Sequence, residues 1–192
     1  MLKGLLVDLV PYGKAFLEND HEWENGIARF WSNLGECPIV SRAQVEARHQ
    51  EWFESNESYL GVPFGVQTKD GIPLGYFGIN WMVPHCRSVM VGAVINDPDY
   101  WGGGYGTDAL LLLMDYAFDW LDMRKVWLGT MSLNERVMRQ MEKVGFTLEV
   151  RQREAVYAAG EWHDSLLYGL LRDEWPGRAA LIERFGLQAR PE

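Results

Sequence analysis

The sequence predicts one α+β domain built on a mixed central β-sheet of about seven strands flanked by helices, and three observations carry that reading. Short runs rich in β-branched and aromatic residues alternate with turn residues along much of the chain. A glycine-rich loop that opens an apolar helix stands between two such runs near the middle, which requires one parallel crossover, expected to be right-handed. Finally, 192 residues with 47% hydrophobic side chains suffice for one core and leave no room for two ordinary domains.

In order, residues 4–10 read as a first strand and 11–34 as helical, with Glu18, Asp20, Glu22 and Glu24 crowded on the way. Ser41 and Gln44 have capping-box spacing and open a helix to about residue 55, with Val45, Trp52 and Phe53 available for burial. Residues 62–68 and 72–82 flank Lys69-Asp70-Gly71, a hairpin signature. Pro84 breaks the chain before 88–96, a run suited to a buried central strand. After the glycines, Leu110, Leu113, Met114, Ala117, Phe118 and Leu121 recur at helical spacing, while Asp108, Asp115, Asp119 and Asp122 fall on one face expected to be solvated. Residues 125–131 form a strand, 134–144 a helix stopped by Gly145, and 146–154 with 164–171 a hairpin around Ala159-Gly160. A last helix spans 176–185, with Pro176 in its first turn.

Charge and cysteine usage narrow the function classes. Eighteen basic against 27 acidic residues give a net charge of −9, which disfavours nucleic-acid backbones and favours a cationic small partner. The N-terminal ten residues are apolar but hold Lys3 and Asp8 and are too short to span a bilayer, so neither targeting nor membrane anchoring is expected. Cys37 and Cys86 stand far apart without CxxC spacing, so the expectation is a reducing cytoplasm with no disulfide framework and no metal.

The chemistry concentrates in Tyr100-Trp101-Gly102-Gly103-Gly104-Tyr105-Gly106-Thr107. Four glycines let a backbone approach a ligand, and the helix that follows presents unpaired N–H groups and the positive end of its dipole, an arrangement suited to a phosphate. The Gly-Lys-Ser/Thr of a P-loop is absent, and residues 97–101 intervene where a Rossmann loop would follow its strand directly.

Gly104-Tyr105-Gly106 after a long central strand resembles the loop of the GNAT superfamily of N-acetyltransferases. The stretch Tyr100-Trp101-Gly102-Gly103-Gly104-Tyr105-Gly106-Thr107-Asp108-Ala109 is similar to the branch holding ribosomal-protein alanine N-acetyltransferases and spermidine N-acetyltransferases. Asn134-Glu135-Arg136 leading to Glu142-Lys143-Val144-Gly145-Phe146 resembles that branch too. So do Arg153-Glu154-Ala155, Gly160-Glu161-Trp162-His163-Asp164 and Leu170-Leu171-Arg172-Asp173-Glu174-Trp175. The resemblance covers roughly residues 70–175, and the first 60 match in element order alone.

It implies a sheet splayed between its fourth and fifth strands, an acceptor side at 1–60, an acetyl-CoA-binding core at 61–175, and a C-terminal helix and tail at 176–192. Acetyl-CoA would be the donor. Its pantetheine arm would lie along Val94, Ile95 and Asn96, and its pyrophosphate on the N–H groups of Trp101, Gly102, Gly103, Gly104, Tyr105, Gly106 and Thr107, with Asn134 bonding the arm or a nearby water. A strand N–H near Val94 would serve the oxyanion. The pattern is broken where Met141 replaces a common Tyr, Val137 a Ser and Gly103 a Lys. The catalytic candidates are then Asn134, through its bond to the arm or a water, Ser132 beyond the fifth strand as a proton donor, and His85 and Asp97 on either side of the fourth as bases; Ser132 also fits a helix cap, and His85 and Asp97 fit turns. Glu22, Trp23 and Glu24 are placed to attract an ammonium group. The expected activity is acetyl transfer to a primary amine of a small molecule or a protein N-terminus. The alternative is a non-catalytic acyl-CoA-binding or sensing module of the same fold, with a homodimer left open.

Overall fold

The computed structural model describes residues 1–37, 39–54 and 61–189. Turn chemistry sets most of the boundaries. Gly71, at φ +87°, closes the hairpin between β3 (Val62–Thr68) and β4 (Pro73–Val83), where the Ile72 N–H donates to Thr68 Oγ1 at 2.9 Å. Pro84 starts a 3₁₀ turn that ends at Arg87, in the left-handed region, and releases the chain into β5 (Ser88–Ile95). Ala159 and Gly160, both at positive φ, join β7 (Thr147–Ala158) to β8 (Glu161–Leu171). With β1 (Leu2–Lys3), β2 (Val7–Pro11) and β6 (Lys125–Met131), these strands form one sheet in the order β1-β2-β3-β4-β5-β6-β8-β7. Every neighbouring pair is antiparallel except β5 and β6.

Among the described residues six helices accompany it: α1 (Lys14–Glu24), α2 (Ile27–Ser32), α3 (Arg42–Glu54), α4 (Tyr105–Asp115), α5 (Glu135–Val144) and α6 (Arg178–Phe185). α4 is apolar nearly all round, with Ala109, Leu111, Leu113 and Met114 fully buried, and it continues into a π turn at Tyr116–Trp120. The Tyr116 ring meets Phe64 of β3 at 5.3 Å, whereas Phe16 of α1 fills the space that a side chain at Gly65 would need. Successive strand residues face opposite ways, so α4 and α1 lie on opposite faces of the sheet. A second, smaller core gathers Met131, Val156 and Ala158 under Phe30, Trp31 and Leu133, which brings α2 onto the α1 face.

Four expectations change. The strand expected at 4–10 begins only at Val7, because the Leu6 and Val7 N–H groups donate to the Asp108 carboxylate at 2.7 and 3.2 Å, and an additional short strand, β1, precedes it, so the sheet has eight strands among the described residues. The helical stretch 11–34 is two helices, since the Asn25 side chain exchanges two hydrogen bonds with the Val40 backbone at 3.0 and 3.1 Å and ends α1 there. Gly177, at φ +88°, delays the last helix to Arg178. The aspartate row is a solvated face only in part: Asp119 and Asp122 are exposed, though they meet Arg172 at 3.6 and 3.4 Å and Arg87 holds Asp122 at 2.6 Å, whereas Asp108 is wholly buried and paired with Arg178 at 3.1 Å. Burial pushes the Asp115 carboxyl above its ordinary pKa, with Asp119 adding to the shift. The Ser41–Gln44 capping box forms as expected, and Val45 is buried; the side chains of Trp52 and Phe53 lie outside the described residues.

Asp108 thus joins the N-terminal strands, α4 and α6 through one carboxylate. Asp108→Ala is expected to cost about 3–5 kcal/mol, because it strands two buried N–H groups and the Arg178 charge, while Asp108→Asn should cost less. Urea unfolding of both variants against the parent checks this.

Candidate active site

β5 and β6 pair only at Ser88↔Lys125, Val89↔Val126 and Met90↔Trp127. From Val91 onward β5 is held by β4 alone, and from Leu128 onward β6 by β8 alone. The parallel pair is therefore a fork, and the β5 edge along residues 91–95 has no ladder partner inside it. At its tip the Trp101 indole N–H donates to the Ile95 carbonyl at 2.7 Å, folding the glycine loop back over the strand end.

Within that loop the glycines do different work. Gly104 lies at φ +90°, and a Cβ there would sit 2.8 Å from Leu187 and 3.1 Å from Leu6, so backbone and packing both require it. Gly102, at φ +80°, has nothing within 4 Å, and Gly106 would meet only Ile95 at 3.7 Å, which leaves that side of the loop open. The first helical bond of α4 runs from Asp108 N–H to Gly104 C=O at 2.9 Å, so the N–H groups of Gly106 and Thr107 precede the ladder.

On the β6 prong, Ser132 extends the ladder: its N–H donates to the Asp164 carbonyl at 2.9 Å and its Oγ accepts from the Asp164 N–H at 3.1 Å. The cap of α5 is Asn134, whose Oδ1 accepts from the Val137 N–H at 3.3 Å while its amide Nδ2 has no partner among the described residues. Beyond the ends of the two prongs lies a cleft of about 280 Å³ lined by Trp31 of α2, Trp101 of the glycine loop, and Leu133, Asn134, Glu135 and Arg136 at the start of α5.

The α1 face beside the fork carries a polar cluster. The Tyr12 hydroxyl donates to Asp20, whose other oxygen lies 2.7 Å from His49 Nε2, and the Tyr12 ring meets Tyr76 edge-on at 5.9 Å. The Tyr76 hydroxyl donates to Asn80, whose amide lies where a side chain at Gly92 would project. Burial raises the Asp20 carboxyl above its ordinary pKa against the opposing Tyr12 and His49 contacts, and it raises the Tyr12 phenol with help from Asp20. Tyr76 is pushed up to about 12 by burial.

Residues 15–147 match the family model described as an acetyltransferase (GNAT) domain. The chain belongs to the GNAT acetyltransferase family. It is accordingly an acyltransferase. A Bacillus subtilis (strain 168) protein named "Putative ribosomal N-acetyltransferase YdaF" is 27% identical over 147 residues, which span 77% of this chain and 79% of that one. The Escherichia coli (strain K12) spermidine N(1)-acetyltransferase is 30% identical over 73 residues, 38% of this chain and 39% of its own. The fold superposes on a Vibrio cholerae spermidine N-acetyltransferase solved with CoA and spermine, with a TM-score of 0.76 at 20% identity, covering 88% of this chain and 96% of that one.

Within this GNAT domain the expected residues fall into two groups. Val94, Ile95, Asn96, the segment Trp101 to Thr107, Ser132 and Asn134 gather at the open end of the fork. Asp97 is close by, but its Oδ1 accepts from the Asp99 N–H at 3.0 Å and caps a short 3₁₀ turn. His85 lies before Ser88, at the closed end of β5, with the length of the strand between it and Asn134, so the structure removes it from this constellation. Ser132 is not the helix cap, a role that Asn134 takes. Met141 is 3% exposed and belongs to the main core. Glu22, Trp23 and Glu24 have separate surroundings: Glu22 is exposed, Trp23 packs on Phe16 at 6.5 Å, and Glu24 is held by Arg29 and Arg48 at 3.5 and 3.3 Å. Among the described residues no group of three His, Cys, Asp or Glu could hold a metal ion, and no helix is long and apolar enough to cross a membrane. Sequence reasoning missed the Tyr12, Asp20, His49, Tyr76 and Asn80 cluster. The signal for it was present in Gly65, Gly78 and Gly92, strand glycines that mark a close approach and here make room for Phe16, Tyr76 and Asn80.

A phenol raised by burial favours the folded state fully below pH ~10 and loses that advantage as pH rises toward its folded pKa of about 12. Tyr76→Phe lacks the group. Its stability is expected to fall less steeply than the parent's between pH 9 and 11, by about 1 kcal/mol, after a cost of about 1 kcal/mol at neutral pH for the lost bond to Asn80. Denaturant unfolding across that range measures both.

Proposed function

We propose that this protein is an acetyl-CoA-dependent N-acetyltransferase acting on a primary amine of a small molecule or a protein N-terminus. The observation that carries the reading is the unpaired edge of β5 ending at the glycine loop, since an extended amide-bearing arm satisfies a free strand edge and a pyrophosphate satisfies N–H groups at a helix start. The residues fit the coenzyme: the loop backbone is open at Gly102 and Gly106, and the one carboxylate in the first turn of α4, Asp108, is turned toward Leu6, Val7 and Arg178. When bound, acetyl-CoA supplies an acetyl group activated as a thioester.

The chain's own residues then divide the work. Val94, Ile95 and Asn96 align the arm, and Asn134 offers its amide donors to it from the opposite prong. A backbone N–H of β5 near Val94 is the donor for the charge that develops on the acetyl oxygen, a role that needs position rather than side-chain identity. Met141, a buried thioether, donates no proton, so the departing thiolate takes one from water or from the Ser132 hydroxyl. The acceptor enters from the α1 face, where Asp20, Tyr12 and Tyr76 give a partly desolvated, acidic and aromatic surface beside the fork. The names of the relatives, ribosomal and spermidine N-acetyltransferases, support an amine acceptor of one of these two kinds. Thiol release in a panel of polyamines and N-terminal peptides, alongside a CoA thermal-shift titration, tests the reading. Release with at least one amine supports it, and CoA binding without release across the panel returns the non-catalytic module.

Asn134→Ser separates the cap from the coenzyme contact, because serine is also a good N-cap. The melting temperature is expected to hold while the Kd for acetyl-CoA rises about 2- to 10-fold, the worth of one neutral hydrogen bond. Calorimetry on the variant measures the change.

A further inference from the structure

Arg136 stands out among the cations of this protein. Most of its arginines hold carboxylates, as Arg139 holds Glu135 at 2.9 Å and Arg178 holds Asp108 at 3.1 Å, but Arg136 makes no ion pair among the described residues. It lines the fork's cleft, and its guanidinium carbon lies 4.0 Å from the centroid of the Trp101 ring. Trp101 is itself fixed by its indole bond to the Ile95 carbonyl, so the guanidinium rests on an immobile platform at the mouth of the glycine loop. Residues 101–107 contain no cationic side chain, so the loop offers an incoming anion only backbone N–H groups. Burial lowers the Arg136 pKa, the direction of an uncompensated charge drawn out of water.

We propose that Arg136, stacked on Trp101, binds the pyrophosphate of the coenzyme and supplies the positive charge the glycine loop lacks. Stacking occupies the face of the guanidinium and leaves its N–H edges free, and those edges match two phosphate oxygens in a way that an ammonium cannot. The assignment rests on the acetyl-CoA reading above and adds the side chain that recognises its charge.

Calorimetry with CoA and 3′-dephospho-CoA on the parent, Arg136→Gln and Arg136→Lys tests it, with the ligand-free melting temperature of each variant reporting on the fold. Arg136→Gln is expected to weaken both ligands equally, about 10- to 100-fold, and to flatten the salt dependence of binding; Arg136→Lys should fall between. A folded Arg136→Gln protein that binds CoA as the parent does, or that loses affinity with an unchanged salt dependence, overturns the proposal. A loss on CoA that is absent for 3′-dephospho-CoA overturns the pyrophosphate assignment in favour of the 3′-phosphate. A parent protein that binds no CoA overturns the coenzyme reading and this assignment with it.

Discussion

The pairing of β5 with β6 stops after three residues, and the arrangement of the site depends on that stop. Each prong of the fork is secured by its outer neighbour: β5 by β4 as far as Gly75↔Ile95, and β6 by β8 as far as Met131↔Ser165. The prongs are therefore held apart by their outer neighbours, and the backbone groups inside the fork are set in place by the strands on either side. The Trp101 indole and the Ser132 bonds to Asp164 extend this hold beyond the last ladder pair on each prong. A site built this way owes its alignment to main-chain geometry, which is why Met141 can stand in the core without disturbing it.

The acidic composition has a structural use that net charge alone conceals. Carboxylates along α4 and the turn after it meet Arg178, Arg172 and Arg87, which belong to α6, the end of β8 and the turn before β5. These contacts tie the crossover helix to the elements that flank it. The surplus negative charge is consequently less available for attracting a cation than a count suggests, and Glu24, bracketed by Arg29 and Arg48, shows the same neutralisation on the other face.

Where local chemistry fixes an element, the sequence shows it. β3 and β6 lie at 62–68 and 125–131 as their turn residues and β-branched runs imply, and Asn134 and Gly145 bound α5 because one caps with its side chain and the other relaxes into φ +112°. The glycine loop was legible for the same reason. What stayed hidden depends on partners distant in the chain. The break after α1 comes from Val40, 15 residues on from Asn25, and the late start of β2 comes from Asp108, about a hundred residues away. The cluster of Tyr12, Asp20, His49, Tyr76 and Asn80 draws on α1, α3 and β4, so no single stretch of chain contains its pattern.

α2 rests on the smaller of the two cores, with Phe30 and Trp31 over Met131, Val156 and Ala158, while the larger core contains α4. Cooperative opening follows the amount of buried contact, so a segment on a satellite core opens at a free energy well below that of global unfolding. Amide protons of α2 are accordingly expected to exchange with solvent long before those of α4, and the wall that Trp31 gives the cleft is the part of its lining that local opening reaches first.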